Sequence, residues 1–138
     1  PPAPVVRSGP AASLLVVEDN PVNLRLVRRI LEGAGHAVES ARDGQEALER
    51  LLERRFDLIL MDVMMPRLDG LAATRAIRAV EVPGSSHVPI VGLSANADAA
   101  HQAEGLAAGM DAYLTKPVDA ELLLATVARF LAGARVAA

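Results

Sequence analysis

Five side chains in this 138-residue chain share a coherent chemistry: the acids Glu18, Asp19 and Asp62, the hydroxyl of Ser94 and the ammonium of Lys116. Each stands at the end of a short apolar run. Ser13 to Val17 precedes the first two acids, Phe56 to Met61 precedes Asp62, Val88 to Leu93 precedes Ser94, and Ala112 to Thr115 precedes Lys116. Taken singly, each residue has an ordinary explanation. Acids at strand ends often cap helices, serine is a common turn residue, and a lysine before proline is usually solvated. Those explanations do not predict all of them together at four strand ends. Three carboxylates at close range repel one another, and a hard divalent cation relieves the repulsion. Magnesium suits such a site because it takes oxygen ligands and keeps several waters. A cation beside a lysine also neutralises a phosphoryl group, so the expected chemistry is metal-assisted handling of phosphate.

The segments between these runs must bring the five residues together. Each run is too short for a helix and ends in a break, so each reads as a buried strand. Asn20-Pro21 reads as an N-cap followed by proline in the first helical turn. The helix that follows carries Leu26, Val27, Ile30 and Leu31 on one stripe, and Gly33 and Gly35 stop it. His36 to Ser40 is a short strand, and Asp43 caps a second helix with Ala47, Leu48, Leu51 and Leu52 on its apolar stripe. Met64 to Gly70 reads as a loop, and Leu71 to Val80 as a third helix. A turn is expected at Pro83-Gly84-Ser85-Ser86. Asp98 to Ala108 reads as a helix closed by Gly109. Asp119 caps a last helix, with Leu123, Val127 and Phe130 on one face and an end near Leu131. Strand and helix alternate five times. The expected fold is α/β, a doubly wound five-stranded parallel sheet covered on both faces. In such a sheet, function sits in the crevice outside the carboxyl ends of the strands, where the five residues fall.

Composition narrows the classes further. The length suits one domain, expected over residues 13–133, after a proline-rich tether at 1–12 and before a short tail at 134–138. A chain opening on Pro1 reads as a segment of a longer protein or a processed one. With no cysteine, disulfides and thiolate metal sites are excluded. A net charge of −3 and 2% aromatic residues argue against a nucleic-acid partner. No apolar run approaches the roughly 20 residues of a membrane span, and no signal peptide is visible. The expected location is cytoplasmic, without membrane contact by this domain. His36, His87 and His101 are scattered and read as surface residues. Met61, Met64, Met65 and Met110 read as packing groups.

Four segments resemble response-regulator receiver domains, especially those attached to hybrid sensor histidine kinases. They are Leu14-Leu15-Val16-Val17-Glu18-Asp19-Asn20 with Val22-Asn23, Asp57-Leu58-Ile59-Leu60-Met61-Asp62-Val63-Met64-Met65-Pro66 with Asp69-Gly70, Pro89-Ile90-Val91-Gly92-Leu93-Ser94-Ala95-Asn96, and Gly109-Met110-Asp111-Ala112-Tyr113-Leu114-Thr115-Lys116-Pro117. They arrive in family order and cover about Ser13 to Leu131. The resemblance implies a flavodoxin-like sheet of order 2-1-3-4-5 and a phosphorelay receiver. In that role Asp62 takes a phosphoryl group from the phosphohistidine of a kinase or phosphotransfer domain, with Mg2+ or, as the alternative, Mn2+. It further implies that Asp19 binds the metal directly, with Glu18 acting through its water shell, and that Asp62 and the Met64 backbone carbonyl complete the protein ligands. Ser94 and Lys116 would contact the phosphoryl group, and Tyr113 would move with the switch. The Lys116–Pro117 bond would be cis, and Asn20, Pro21, Asn23 and Leu26 would form the docking surface for the phosphohistidine partner.

This chain departs from the family at two places. Ser94 stands where threonine is frequent, which keeps the hydroxyl. Gly92 stands where alanine is frequent, and the missing methyl is expected to loosen the strand locally. Two other functions compete. Aspartate-nucleophile phosphohydrolases need a second acid two residues after the nucleophile, and here that residue is Met64, which transfers no proton. A phosphorylation-independent adaptor would not require the set Asp19, Asp62, Ser94 and Lys116.

Overall fold

The computed structural model describes residues 12–63, 69–81, 87–95 and 98–136. The strands are β1 (Ser13–Val17), β2 (Ala37–Ala41), β3 (Leu58–Asp62), β4 (Ile90–Ser94) and β5 (Ala112–Thr115). The helices are α1 (Pro21–Gly33), α2 (Gly44–Glu53), α3 (Gly70–Val80), α4 (Ala99–Ala108) and α5 (Ala120–Val136). The strands pair in parallel in the order β2-β1-β3-β4-β5.

Alternation along each strand divides the core into two halves. Leu14, Val16, Leu58, Leu60, Val91 and Leu93 face α1 and α5, meeting Val27, Leu31, Leu123 and Val127. Leu15, Val17, Ile59, Met61 and Ile90 face the other way, against Ala47, Ala73 and Ile77. Side chains pointing to opposite faces at successive positions make every strand apolar throughout, which is why the strands read as continuous runs. No helix among the described residues is long and apolar enough to cross a membrane.

Helix starts follow local chemistry. The Asn20 side chain accepts from the Val22 and Asn23 N–H groups. Asp43, Asp69 and Asp98 each accept from the N–H three residues on. A cap of this kind is worth about 1 kcal/mol.

Several boundaries differ from the sequence reading. β2, β3 and β4 begin and end one or two residues later than expected, so Asp62 and Ser94 are the last strand residues rather than the first beyond. Gly70 opens α3 instead of closing a loop, because Asp69 is its cap. α5 continues past Leu131, which lies in the core, to Val136. Ala12, placed with the tether on sequence, is buried, and its N–H donates to His36 Nδ1. The rest of that tether, the turn at 83–86 and most of the loop at 64–70 lie outside the described residues. Gly92 leaves no slack. A Cβ there would stand 2.5 Å from Met110 Sδ and 3.2 Å from Tyr113 Cδ1, so the methionine sulfur already fills the space of the missing methyl.

Candidate functional site

Register brings the chemistry together. Val17 pairs with Met61, so Glu18 and Asp62 are the next residues on adjacent strands. Asp62 pairs with Leu93, which places Ser94 one step further along β4. Ser94 pairs with Thr115, so Lys116 follows directly on the neighbouring chain, and its N–H donates to the Ser94 carbonyl at 2.8 Å. The Val63 N–H donates to the Leu93 carbonyl at 3.0 Å and extends the β3–β4 ladder past Asp62.

Carboxylate oxygens of Glu18, Asp19 and Asp62 lie within 4.8 Å of one another. Glu18 and Asp62 are buried, while Asp19 is exposed at the mouth. Lys116 Nζ lies 3.0 Å from Glu18 Oε1 and 3.2 Å from Asp62 Oδ1. One ammonium therefore serves two buried acids, with a third acid beside them. Burial pushes the Asp62 carboxyl up from 3.8 to about 7. A hydrogen bond to Glu18 and its negative charge push the same way, and Lys116 only partly offsets them. Burial works to lower the Lys116 pKa, but its hydrogen bond to Glu18 and the charges of Asp62 and Glu18 outweigh it, and the net shift is upward. Cations relieve such crowding, and an all-oxygen donor set with one open, exposed member fits a hard divalent ion that keeps waters.

The other residues singled out on sequence surround this crevice. Ser94 is buried at the end of β4. Tyr113 is half-buried on β5 and packs against the second half of the core. Its ring lies against two glycines, since a Cβ on Gly92 or Gly105 would meet ring carbons at 3.2 Å. The Lys116–Pro117 peptide bond is cis. Asn20, Pro21, Asn23 and Leu26 lie at the start of α1, with Leu26 exposed beside a still more exposed Val22. Met64 lies outside the described residues.

Sequence reasoning missed a second charged cluster, at the opposite end of the sheet. Arg78 of α3 donates through Nε to the Gly109 carbonyl at 2.9 Å and through Nη1 to the Val88 carbonyl at 2.8 Å. It also meets Glu81 and Asp111, each at 2.8 Å. His87 bridges the same two acids, 2.9 Å from Asp111 Oδ1 and 3.5 Å from Glu81 Oε1. His87 is therefore exposed, as expected of a surface residue, but held in a network.

Comparison with known proteins points to one family. The family model for the response regulator receiver domain matches residues 14–128. The sensor protein GacS of Pseudomonas syringae pv. syringae is 44% identical over 124 residues, covering 89% of this chain and 14% of the relative. The signal transduction histidine-protein kinase BarA of Escherichia coli K12 is 36% identical over 126 residues, covering 91% of this chain and 14% of the relative. The chain thus spans about one seventh of these relatives. Among solved structures, the receiver domain of sensor histidine kinase PA1611 from Pseudomonas aeruginosa PAO1, with magnesium coordinated in its active-site cleft, superposes with a TM-score of 0.80. It is 38% identical, covering 88% of this chain and 98% of that one. The co-crystal of the Saccharomyces cerevisiae phosphotransfer protein Ypd1 with the receiver domain of Ssk1 gives a TM-score of 0.82 at 30% identity, covering 88% of this chain and 89% of that one.

Proposed function

Because the chain belongs to the response regulator receiver family and is a phosphorelay receiver domain, we propose that Asp62 is its phosphoacceptor, served by Glu18, Asp19, Ser94 and Lys116. The observation that carries this reading is the buried Asp62 carboxylate at the end of β3, within reach of two other acids and 3.2 Å from Lys116. Glu18, Asp19 and Asp62, with the Met64 carbonyl, are the groups that would hold a divalent ion. When bound, magnesium supplies charge stabilisation for the phosphoryl oxygens and draws Asp62 into its ionised, nucleophilic form.

The chain's own groups divide the remaining work. An Asp62 carboxylate oxygen attacks phosphorus and forms the P–O bond of an acyl phosphate. The P–N bond to the donor imidazole breaks, and its electron pair leaves with the ring nitrogen. Lys116 sits where it can pair with a phosphoryl oxygen, and the Ser94 hydroxyl is one strand away to donate to another. The domain in this way promotes its own phosphorylation, and hydrolysis of the acyl phosphate resets it. Phosphorylation adds about −1.5 to −2 charge beside β4 and β5. Ser94 turning toward that charge vacates space for Tyr113, which shifts the domain between two existing states.

The donor is a phosphohistidine on a helical kinase or phosphotransfer domain, and it docks on α1 across Asn20, Pro21, Asn23 and Leu26. The exposed Leu26 and Val22 beside the crevice support that surface. A cytoplasmic location suits this role, since such donors are charged from ATP.

A small acyl phosphate plus magnesium should add one phosphoryl group, read by intact-mass spectrometry. Modification that persists in Asp62→Asn, or proceeds unchanged in chelator, overturns the assignment. Charge reversal at Arg25 or a bulky change at Leu26 should slow transfer from a protein donor and spare the small donor. Equal slowing with both would mean the site itself was damaged.

A further inference from the structure

Among Gly33, Gly70, Gly92, Gly105 and Gly109, the one whose Cβ position is approached most closely by backbone is Gly70, directly under the proposed phosphoacceptor. A Cβ built on Gly70 would stand 2.2 Å from the Asp62 carbonyl oxygen, 2.8 Å from Val63 Cα and 3.0 Å from the Asp62 carbonyl carbon. All three are backbone atoms, so no side chain can swing aside to make room. The Gly70 N–H donates to the Val63 carbonyl at 3.0 Å, which pins the start of α3 to the end of β3. Thr74, fully buried in the second turn of α3, donates its hydroxyl to the Gly70 carbonyl at 2.7 Å. Asp69 caps the same turn through the Ala72 N–H.

We infer that Gly70 is a positioning residue for the phosphoryl site, setting the backbone of Asp62 and Val63 by a contact that only hydrogen at Cα permits. The inference rests on the reading of Asp62 as phosphoacceptor and metal ligand. Residue 62 supplies the reacting carboxylate, and Val63 directly precedes the carbonyl proposed as a metal ligand. A methyl at position 70 must drive α3 and the end of β3 apart by more than an ångström before its contact with the Asp62 oxygen becomes ordinary. β3 is held on both sides by β1 and β4 as far as Met61, whereas Asp62 and Val63 are held on the β4 side alone, so the strain falls there. Displacements of about 1 Å at reacting groups cost on the order of 100-fold in rate. Gly33, at the end of α1, is the natural contrast, since a Cβ there meets nothing within 4 Å.

The test is a magnesium titration followed by the amide NMR shifts of Asp62 and Val63, alongside phosphorylation by a small acyl phosphate. Four variants are compared with wild type: Gly70→Ala, Thr74→Val, Gly33→Ala and Val127→Ala. Val127→Ala opens a cavity in the core under α5, among residues other than those a Cβ on Gly70 would meet, and serves as the control for a general loss of stability. Gly70→Ala is expected to lose about tenfold or more in magnesium affinity, and Thr74→Val less, with shifted Asp62 and Val63 amides. Gly33→Ala and Val127→Ala are expected to keep wild-type affinity. Wild-type affinity in a folded Gly70→Ala, or an equal loss in Val127→Ala, overturns the inference. If Gly70→Ala does not fold, Thr74→Val decides, and unchanged affinity there overturns it. Wild-type protein that shows no magnesium response instead overturns the reading of the site, which separates the two failures.

Discussion

The two ends of the sheet both gather charge, and they do so in opposite ways. At the amino end of β4, Arg78 is matched: its guanidinium meets two backbone carbonyls and two carboxylates, all at 2.8–2.9 Å. The acids are matched in turn. Asp111 Oδ2 also accepts from the Ile90 N–H, and Glu81 Oε2 from the Val88 N–H. This cluster ties α3, β4 and the α4–β5 connection into one unit. At the carboxyl end three acids gather, and Lys116 pairs with two of them, Glu18 and Asp62. Burial first, then the hydrogen bond and charge of Glu18, push the Asp62 carboxyl up to about 7. Satisfied buried charge fixes a structure, because removing any member strands the others. Crowded like charge stores the demand for a cation, and perturbed titration in a cleft marks such places.

The largest expected effect is therefore at the matched end. Arg78→Ala should destabilise the domain by about 3 kcal/mol in urea unfolding, since it leaves Asp111 and Glu81 without their main partner. Magnesium affinity of the folded fraction should stay near wild type. A loss below about 1 kcal/mol would mean that the cluster is surface decoration.

At the crowded end the sign reverses. The folded Asp62 carboxyl holds its proton more tightly than the unfolded one, with a pKa of about 7 against 3.8. Its contribution is fully favourable below about pH 4 and is lost as pH rises through about 7, because folding then buries a charge. Asp62→Asn should thus stabilise the domain by about 1–2 kcal/mol at pH 8 without added magnesium, and by much less at pH 4. Magnesium should raise wild-type stability at pH 8 in proportion to the logarithm of its concentration, and leave the variant nearly unmoved. A variant less stable than wild type at pH 8 would contradict the crowding.

A third effect concerns Gly92. Gly92→Ala should cost about 1–3 kcal/mol by overpacking, because its methyl collides with Met110. The ring signals of Tyr113, the only tyrosine in the chain, should shift even without phosphorylation. Unshifted ring signals would mean that Met110 absorbs the strain alone. The smallest effect is at the start of α4, where His101 Nδ1 lies 2.7 Å from Asp98. The hydrogen bond to Asp98 and its charge raise the His101 pKa, so this contact favours the fold at low pH and fades as pH rises past the shifted value. His101→Ala should flatten that slope slightly in thermal unfolding followed across pH, and no change in slope would show the contact to be inert.

These contrasts also explain what the sequence disclosed. Strands buried on both faces read as apolar runs, and a polar residue ending such a run is visible without a structure. That exposed Glu18, Asp19, Asp62, Ser94 and Lys116 together, and Asn20, Asp43, Asp98 and Asp119 marked the helix starts. Asp69-Gly70 carries two signals, a turn pair and a cap, and the cap prevailed. The Arg78 cluster was hidden because its partners lie up to 33 residues apart with no shared period. Gly92 misled for a related reason. A missing methyl is visible in a sequence, but the sulfur that fills its place is not.

Transfer from a phosphohistidine domain tests the role of Asp62 most directly. The labelled donor is mixed with wild-type chain, with Asp62→Asn and with wild-type chain in chelator, and the phosphoryl group is located by mass spectrometry. One phosphoryl group on Asp62, in wild type with magnesium alone, is the predicted result. A group carried on any other residue, or transfer that survives in Asp62→Asn, would contradict it.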